Sequence, residues 1–221
     1  MWPWSEIRLL RNALRLFAGE HILDRVTNER EHALVLGGDR REITLMFVDI
    51  NIDSALVKKP NDNQMVELIN AYYEAVTNCI GSHNGTIDTI IGDSIAAWWA
   101  GADQTGNAMS ACLCAKAIVA QIAKLNSGIS YDGPKLKIKV GINSGVVMLG
   151  NYGSYKRMRY AALGDNVNLA SSLCGVANAN YPTPIVISGA TNELLGGHMA
   201  STSLASVQVK GRNEPVQLYA L

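Results

Sequence analysis

The sequence predicts an α+β fold in which helices flank a central, mostly antiparallel sheet. Two observations lead there. Apolar runs of strand length and stretches of helical period follow one another in the order strand, helix, strand, strand, helix, strand. Several of these strands are also separated by tight glycine-containing turns, which favour antiparallel neighbours. With 221 residues, 48% of them apolar, the chain can bury the core of one large domain, or of one domain with an appendage.

The first segment, residues 1–37, reads as an amphipathic helical or linker region. From Trp4 to about Val26, Ile7, Leu10, Leu14, Leu16, Phe17, Ile22 and Leu23 recur at helical spacing with arginines between them. Arg11, Arg15 and Arg25 suit a membrane surface, but the apolar stripe suits a partner helix better, so a dimerisation or linker helix is expected. A polar break is expected from Thr27 to Arg41.

Residues 38–221 form the main domain. Its opening run, Glu42 to Ile50, is a buried strand with Asp49 at its carboxyl end. Met65, Leu68, Ile69, Tyr72, Val76 and Ile80 mark a helix from about Asn63 to Ser82. His83-Asn84-Gly85 then turns the chain into two strands that meet at Gly92-Asp93. A second helix is expected from about Gly106 to Leu125. The alternating strand from Lys135 is expected to turn at Asn143-Ser144-Gly145 into Val146–Gly150. A third helix follows Gly164-Asp165, and strands are expected at 184–188, 206–210 and 216–219.

Lysine plus arginine equals aspartate plus glutamate at 19 each, so no broad basic field exists to attract nucleic acid, and any phosphate site must be local. The N-terminus carries charges where a secretory signal needs an apolar stretch. No run approaches the roughly 18 apolar residues of a membrane span, and a cytoplasmic location is expected. Cys79, Cys112, Cys114 and Cys174 lie in apolar helical patterns and read as buried thiols in a reducing compartment.

Asp49 and Asp93 each interrupt an apolar strand context, where an unpaired buried carboxylate would cost several kcal/mol. A hard divalent ion, magnesium above all, would neutralise them while substrate phosphates complete its shell. The alternative is structural, with Asp93 as a turn residue and Asp49 as a helix cap.

Five segments in order, Phe47-Val-Asp49-Ile50, Gly85 to Ile95, Val140-Gly-Ile-Asn-Ser-Gly145, Tyr160 to Ser171, and Val209-Lys210-Gly211, resemble the class III nucleotidyl cyclase catalytic domain. Leu16 to Arg25 is similar to the linker that often precedes it. The resemblance implies a ferredoxin-like domain that forms homodimers with active sites at the interface. It implies two Mg2+ or Mn2+ ions held by Asp49, Asp93 and the carbonyl of Ile50, one activating the ribose 3′-hydroxyl and the other neutralising the triphosphate. It also implies phosphate contacts from Ile52, Asp53 and Ser54, a cation from Lys210 with Arg212 nearby, and ribose orientation by Asn168.

The same comparison exposes departures. Ser172 stands where an arginine is expected, and Ile52 and Asp53 stand where glycine and phenylalanine are common. Thr89 and Ala161 replace the residues that read purine bases. Three readings follow. One is an active cyclase, with a pyrimidine product (cyclic UMP or CMP, as in bacterial antiviral signalling) and a substitute cation from Lys156, Arg157 or Arg159. Another is a degenerate domain that binds nucleotide or dimerises without turnover. A third is a binding module whose acids are structural.

Overall fold

A computed structural model of the protein describes residues 4–53, 61–128, 135–208 and 214–221. It divides into two compact units, one combining the chain up to Arg40 with Met148–Ala162, the other combining Arg41–Val147 with Leu163–Leu221.

The larger unit is built on a sheet whose neighbours run β2 (Thr86–Ile91), β3 (Ser94–Trp99), β1 (Gly37–Asp53), β4 (Lys135–Ser154), β6 (Ile185–Ser188), β8 (Val216–Ala220) and β7 (Thr202–Val207), while β5 (Arg157–Leu163), almost wholly of the smaller unit, pairs β4. β4 and β6 run parallel, while the β1–β3, β2–β3, β6–β8 and β7–β8 pairs are antiparallel. The mixed α+β architecture expected from element order is therefore present.

Alternation along the strands sorts residues between two cores. Met46, Val48 and Ile50 of β1 and Ile185 and Ile187 of β6 join Tyr72, Val76 and Ile80 of α3 (Asp62–Ser82) and Ala111, Ile118 and Ile122 of α4 (Gln104–Gly128). On the other face, Val186 and Leu218 pack with Leu169, Leu173 and Ala177 from the region of α5 (Asp165–Val176). Asp49, between Val48 and Ile50, thus lies on the α5 side of β1. α5 comes close because Gly141 has no side chain: a Cβ there would meet the Cys174 nitrogen at 2.1 Å and the Ala170 carbonyl oxygen at 2.3 Å.

Asn61 starts α3 with a reciprocal capping box, its side chain accepting from the Gln64 N–H (2.9 Å) while the Gln64 side chain accepts from the Asn61 N–H (3.1 Å). α4 has the length and hydropathy of a membrane span, contrary to the expectation that no segment approaches one. It is a helix of the core, with Ala108, Ala111, Cys112, Cys114, Ala115, Ile118 and Ile122 buried. α6 (Gly189–Leu195) was not foreseen, and β7 begins four residues before the expected strand.

In the smaller unit, α1 (Trp4–Ala18) and α2 (Glu20–Glu29) are followed by a short 3-10 helix (Arg30–Leu34). The expected polar break is short, because β1 already opens at Gly37. None of the α1 residues is buried. The Arg25 guanidinium lies 4.1 Å from the centre of the Tyr160 ring, and the Asn151 amide donates to the carbonyls of Ala33 (2.9 Å) and Val35 (2.7 Å). The expected turn at Asn143-Ser144-Gly145 is absent. β4 runs through it, and buried Asn143 instead donates to the Asn166 carbonyl (3.0 Å) and side-chain oxygen (3.1 Å).

Candidate active site

Asp49 is the first acid after the apolar run of β1, and antiparallel register sets it directly opposite Ser94. Asp93 precedes Ser94 in the turn that joins β2 to β3. Gly92 makes this turn possible, with φ 59° in the left-handed region that glycine adopts without strain. The two aspartates are therefore brought to one end of the β1–β3 pair, where the Ile50 N–H reaches the Asp93 carbonyl at 3.4 Å. Asp49 is half-buried and Asp93 exposed. The desolvation argument thus applies in part to Asp49 and not to Asp93, which belongs to a turn. The helix-cap alternative for Asp49 fails, since Asn61 caps α3.

Hydroxyl groups fasten this end of the sheet. Tyr72, wholly buried on α3, directs its hydroxyl at the carbonyls of Asp93 (3.2 Å) and Val48 (3.3 Å). Tyr73 donates to the Gly92 carbonyl, and Ser94 donates to Asp49 Oδ1. Burial, with the negative charge of Asp49 second, raises the Tyr72 hydroxyl above the ordinary tyrosine range, so it remains a donor. Burial and then Asp49 likewise raise the Cys174 thiol, whose sulfur donates to the Lys139 carbonyl at 3.3 Å. Cys174 is consequently a protonated neighbour of the carboxylate rather than a nucleophile.

Among the described residues, neither aspartate pairs with a lysine or arginine, and no cluster of three or more His, Cys, Asp or Glu side chains forms a metal cage. Two carboxylates and a nearby carbonyl nevertheless form a hard-oxygen set of the kind magnesium takes together with substrate phosphates. The donor chemistry fits such an ion.

Other expected site residues are distributed differently. Ile50 buries its side chain in the core, and its N–H is engaged with Asp93. Ile52 and Asp53 are the last two residues of β1. Ser54, Lys210 and Arg212 lie outside the described residues. Asn168 is exposed on α5, where its carbonyl accepts from the equally exposed Ser172 hydroxyl at 2.9 Å. Thr89 is half-buried where the β2–β3 register shifts between Ile87 and Thr89, an irregularity of the sort that re-aims side chains. Ala161 is buried in β5, in the smaller unit. Lys156, Arg157 and Arg159 are exposed around the β4–β5 connection.

Sequence reasoning missed Ser94 and the tyrosine pair as parts of the site. Ser94 had a signal, since two antiparallel strands meeting at the Gly92-Asp93 turn must set some residue of β3 opposite Asp49. Tyr72 and Tyr73 had none beyond apolar periodicity.

Such a sheet, with helices packed on it and two aspartates at one end of a strand pair, defines the class as a mixed α+β domain. Residues 38–221 match the model of the adenylate and guanylate cyclase catalytic domain, and the chain belongs to that family. It is 31% identical over 182 residues to adenylate cyclase 1 of Rhizobium meliloti, an alignment covering 81% of this chain and 27% of that protein. Among solved structures, the guanylyl cyclase Cya2 is similar at 30% identity and TM-score 0.72, over 84% of this chain and 93% of the other. The adenylyl cyclase CyaB from P. aeruginosa is similar at 27% identity and TM-score 0.71, over 84% and 95%. Relatives named for adenine and for guanine substrates stand at comparable distance.

Proposed function

We propose that the chain is a nucleotidyl cyclase, converting a nucleoside triphosphate to its 3′,5′-cyclic monophosphate and pyrophosphate at a homodimer interface. The observation that supports it most is the placement of Asp49 and Asp93 at one end of the β1–β3 pair without a cationic side chain among the described residues. Two Mg2+ or Mn2+ ions held by Asp49, Asp93 and the Ile50 carbonyl would supply charge neutralisation and a more acidic 3′-hydroxyl. In the reaction the 3′-oxygen bonds the α-phosphorus as the bond from that phosphorus to the pyrophosphate oxygen breaks.

The chain's own groups have separate tasks. Asn168, exposed on α5, offers its amide to the ribose of a site completed by the partner chain. Lys210 and Arg212 neutralise the terminal phosphates, and the backbone of Ile52, Asp53 and Ser54 lies along them. Residues 38–221 are the catalytic domain and residues 1–37 a helical linker, working in the cytoplasm where triphosphates are abundant. Thr89 and Ala161 lack the groups that select a purine, which supports a pyrimidine substrate and a cyclic UMP or CMP signal of the antiviral kind.

The test is product analysis with ATP, GTP, CTP and UTP in Mg2+ or Mn2+, following cyclic nucleotide and pyrophosphate together. Asp49→Asn and Asp93→Asn should each abolish turnover, and product formation surviving Asp49→Asn overturns the reading. Exclusive use of ATP leaves a cyclase but removes the pyrimidine proposal. Ser172, in place of a charge-stabilising arginine, favours the second reading, a domain that binds nucleotide or dimerises without turnover.

A further inference from the structure

We propose that Ser94 is a positioning residue for the metal-binding carboxylate of Asp49, an inference that rests on the cyclase reading. Ser94 is the cross-strand partner of Asp49 in the β1–β3 register, and its hydroxyl donates to Asp49 Oδ1. A carboxylate on a strand otherwise turns about two side-chain bonds. A donor fixed to one of its oxygens restricts that freedom and so sets the orientation in which the carboxylate meets an ion, as partners of metal-bound carboxylates commonly do.

The donor itself is held in place. Ser94 follows directly on the Gly92-Asp93 turn, and both carbonyls of that turn are engaged from α3, Gly92 by Tyr73 and Asp93 by Tyr72 at 3.2 Å. Tyr72 reaches the Val48 carbonyl as well, at 3.3 Å, so one buried side chain ties the backbone before Asp49 to the backbone before Ser94. The two tyrosine hydroxyls of α3 keep the serine at a set distance from its carboxylate. Ser94 touches no reacting atom; it acts through Asp49.

The chemistry predicts a particular pattern of loss. Without the Ser94 hydroxyl, Asp49 keeps its charge and its place on β1 but loses its preferred orientation, so ion affinity falls while the fold stands. A purely structural serine would show the reverse, a lower melting temperature with unchanged affinity. Threonine keeps the hydroxyl on the same carbon and should restore what alanine removes.

The experiment is a manganese titration of the full chain followed by electron paramagnetic resonance, with a 3′-deoxynucleoside triphosphate that cannot cyclise, on wild type, S94A, S94T and D49N. S94A should weaken manganese binding by about tenfold or more, with its metal-free melting temperature close to that of wild type and S94T near wild type in both. S94A binding manganese as tightly as wild type overturns the proposal, and so does S94T binding as weakly as S94A. A wild type that takes up no manganese with any of the four bases, or a D49N variant that binds as wild type does, overturns the cyclase site itself and the proposal with it.

Discussion

Ser172→Arg returns a guanidinium to the position four residues after Asn168, where the family resemblance expects one. In α5 these two residues lie one turn apart on the same face, and both are exposed, so the new side chain meets no packed neighbour. The substitution removes only the exposed bond from the Ser172 hydroxyl to the Asn168 carbonyl, and arginine is the better helix former. Stability should therefore stay within about 0.5 kcal/mol of wild type, and a change in rate can be read as chemistry. One preorganised donor to a developing anionic charge is worth about a hundred- to a thousandfold in kcat. The assay is kcat for cyclic product with each of the four triphosphates, beside a melting curve. A kcat that does not rise in a variant that melts normally refutes the idea that Ser172 limits the rate. If wild type turns over, another cation already fills the place; if neither protein does, the domain is a non-catalytic partner.

Tyr72→Phe removes the donor that the carbonyls of Val48 and Asp93 share and should cost about 0.5–1.5 kcal/mol, a drop of a few degrees in melting temperature for a chain of this size. Gly141→Ala drives a Cβ into the backbone of α5 at 2.1–2.3 Å and should destabilise by more than about 2 kcal/mol, measurable by urea denaturation. Arg25→Ala removes the cation from the Tyr160 ring and should cost about 0.5–1 kcal/mol; no change on melting counts against that contact. Burial pushes the Cys112 and Cys114 thiols up from 9.0 to about 12. Unfolded thiols ionise first, so their contribution is complete below about pH 9 and is lost as pH rises toward about 12. Melting temperature should fall through that window, and less so in the Cys112→Ala/Cys114→Ala double variant.

The parts of the fold that could be read in advance are those where local pattern and tertiary context agree. β1, α3, the β2–β3 hairpin, α4 and α5 each carry a periodicity that packing reinforces, and the structure keeps them within a few residues. Asn143-Ser144-Gly145 misled because all three residues are common in turns. In the fold their side chains serve other ends: Asn143 bonds Asn166, Ser144 bonds Thr44, and a Cβ at Gly145 would meet the Asn166 amide at 2.6 Å. Asp49 and Asp93 were legible because charge at an apolar strand end is conspicuous. Their supporting hydroxyls were not, since a tyrosine on a helix face looks the same in sequence whether it fills a core or holds a carbonyl.

Thr44, Ser144, Thr191 and Ser188 form a buried line of four hydroxyls linked at 2.8, 3.1 and 3.2 Å, with the Thr191 N–H also donating to Ser188 at 3.2 Å. Each hydroxyl has a single proton, so none can donate to both of its neighbours, and the direction taken at one link restricts the links beside it. Valine at Thr44 would therefore be felt at Thr191, across two strands and a helix start, as a change in the cost of mutating it. Substitutions here should be strongly non-additive, and relatives that replace one member of the line should replace its neighbours too.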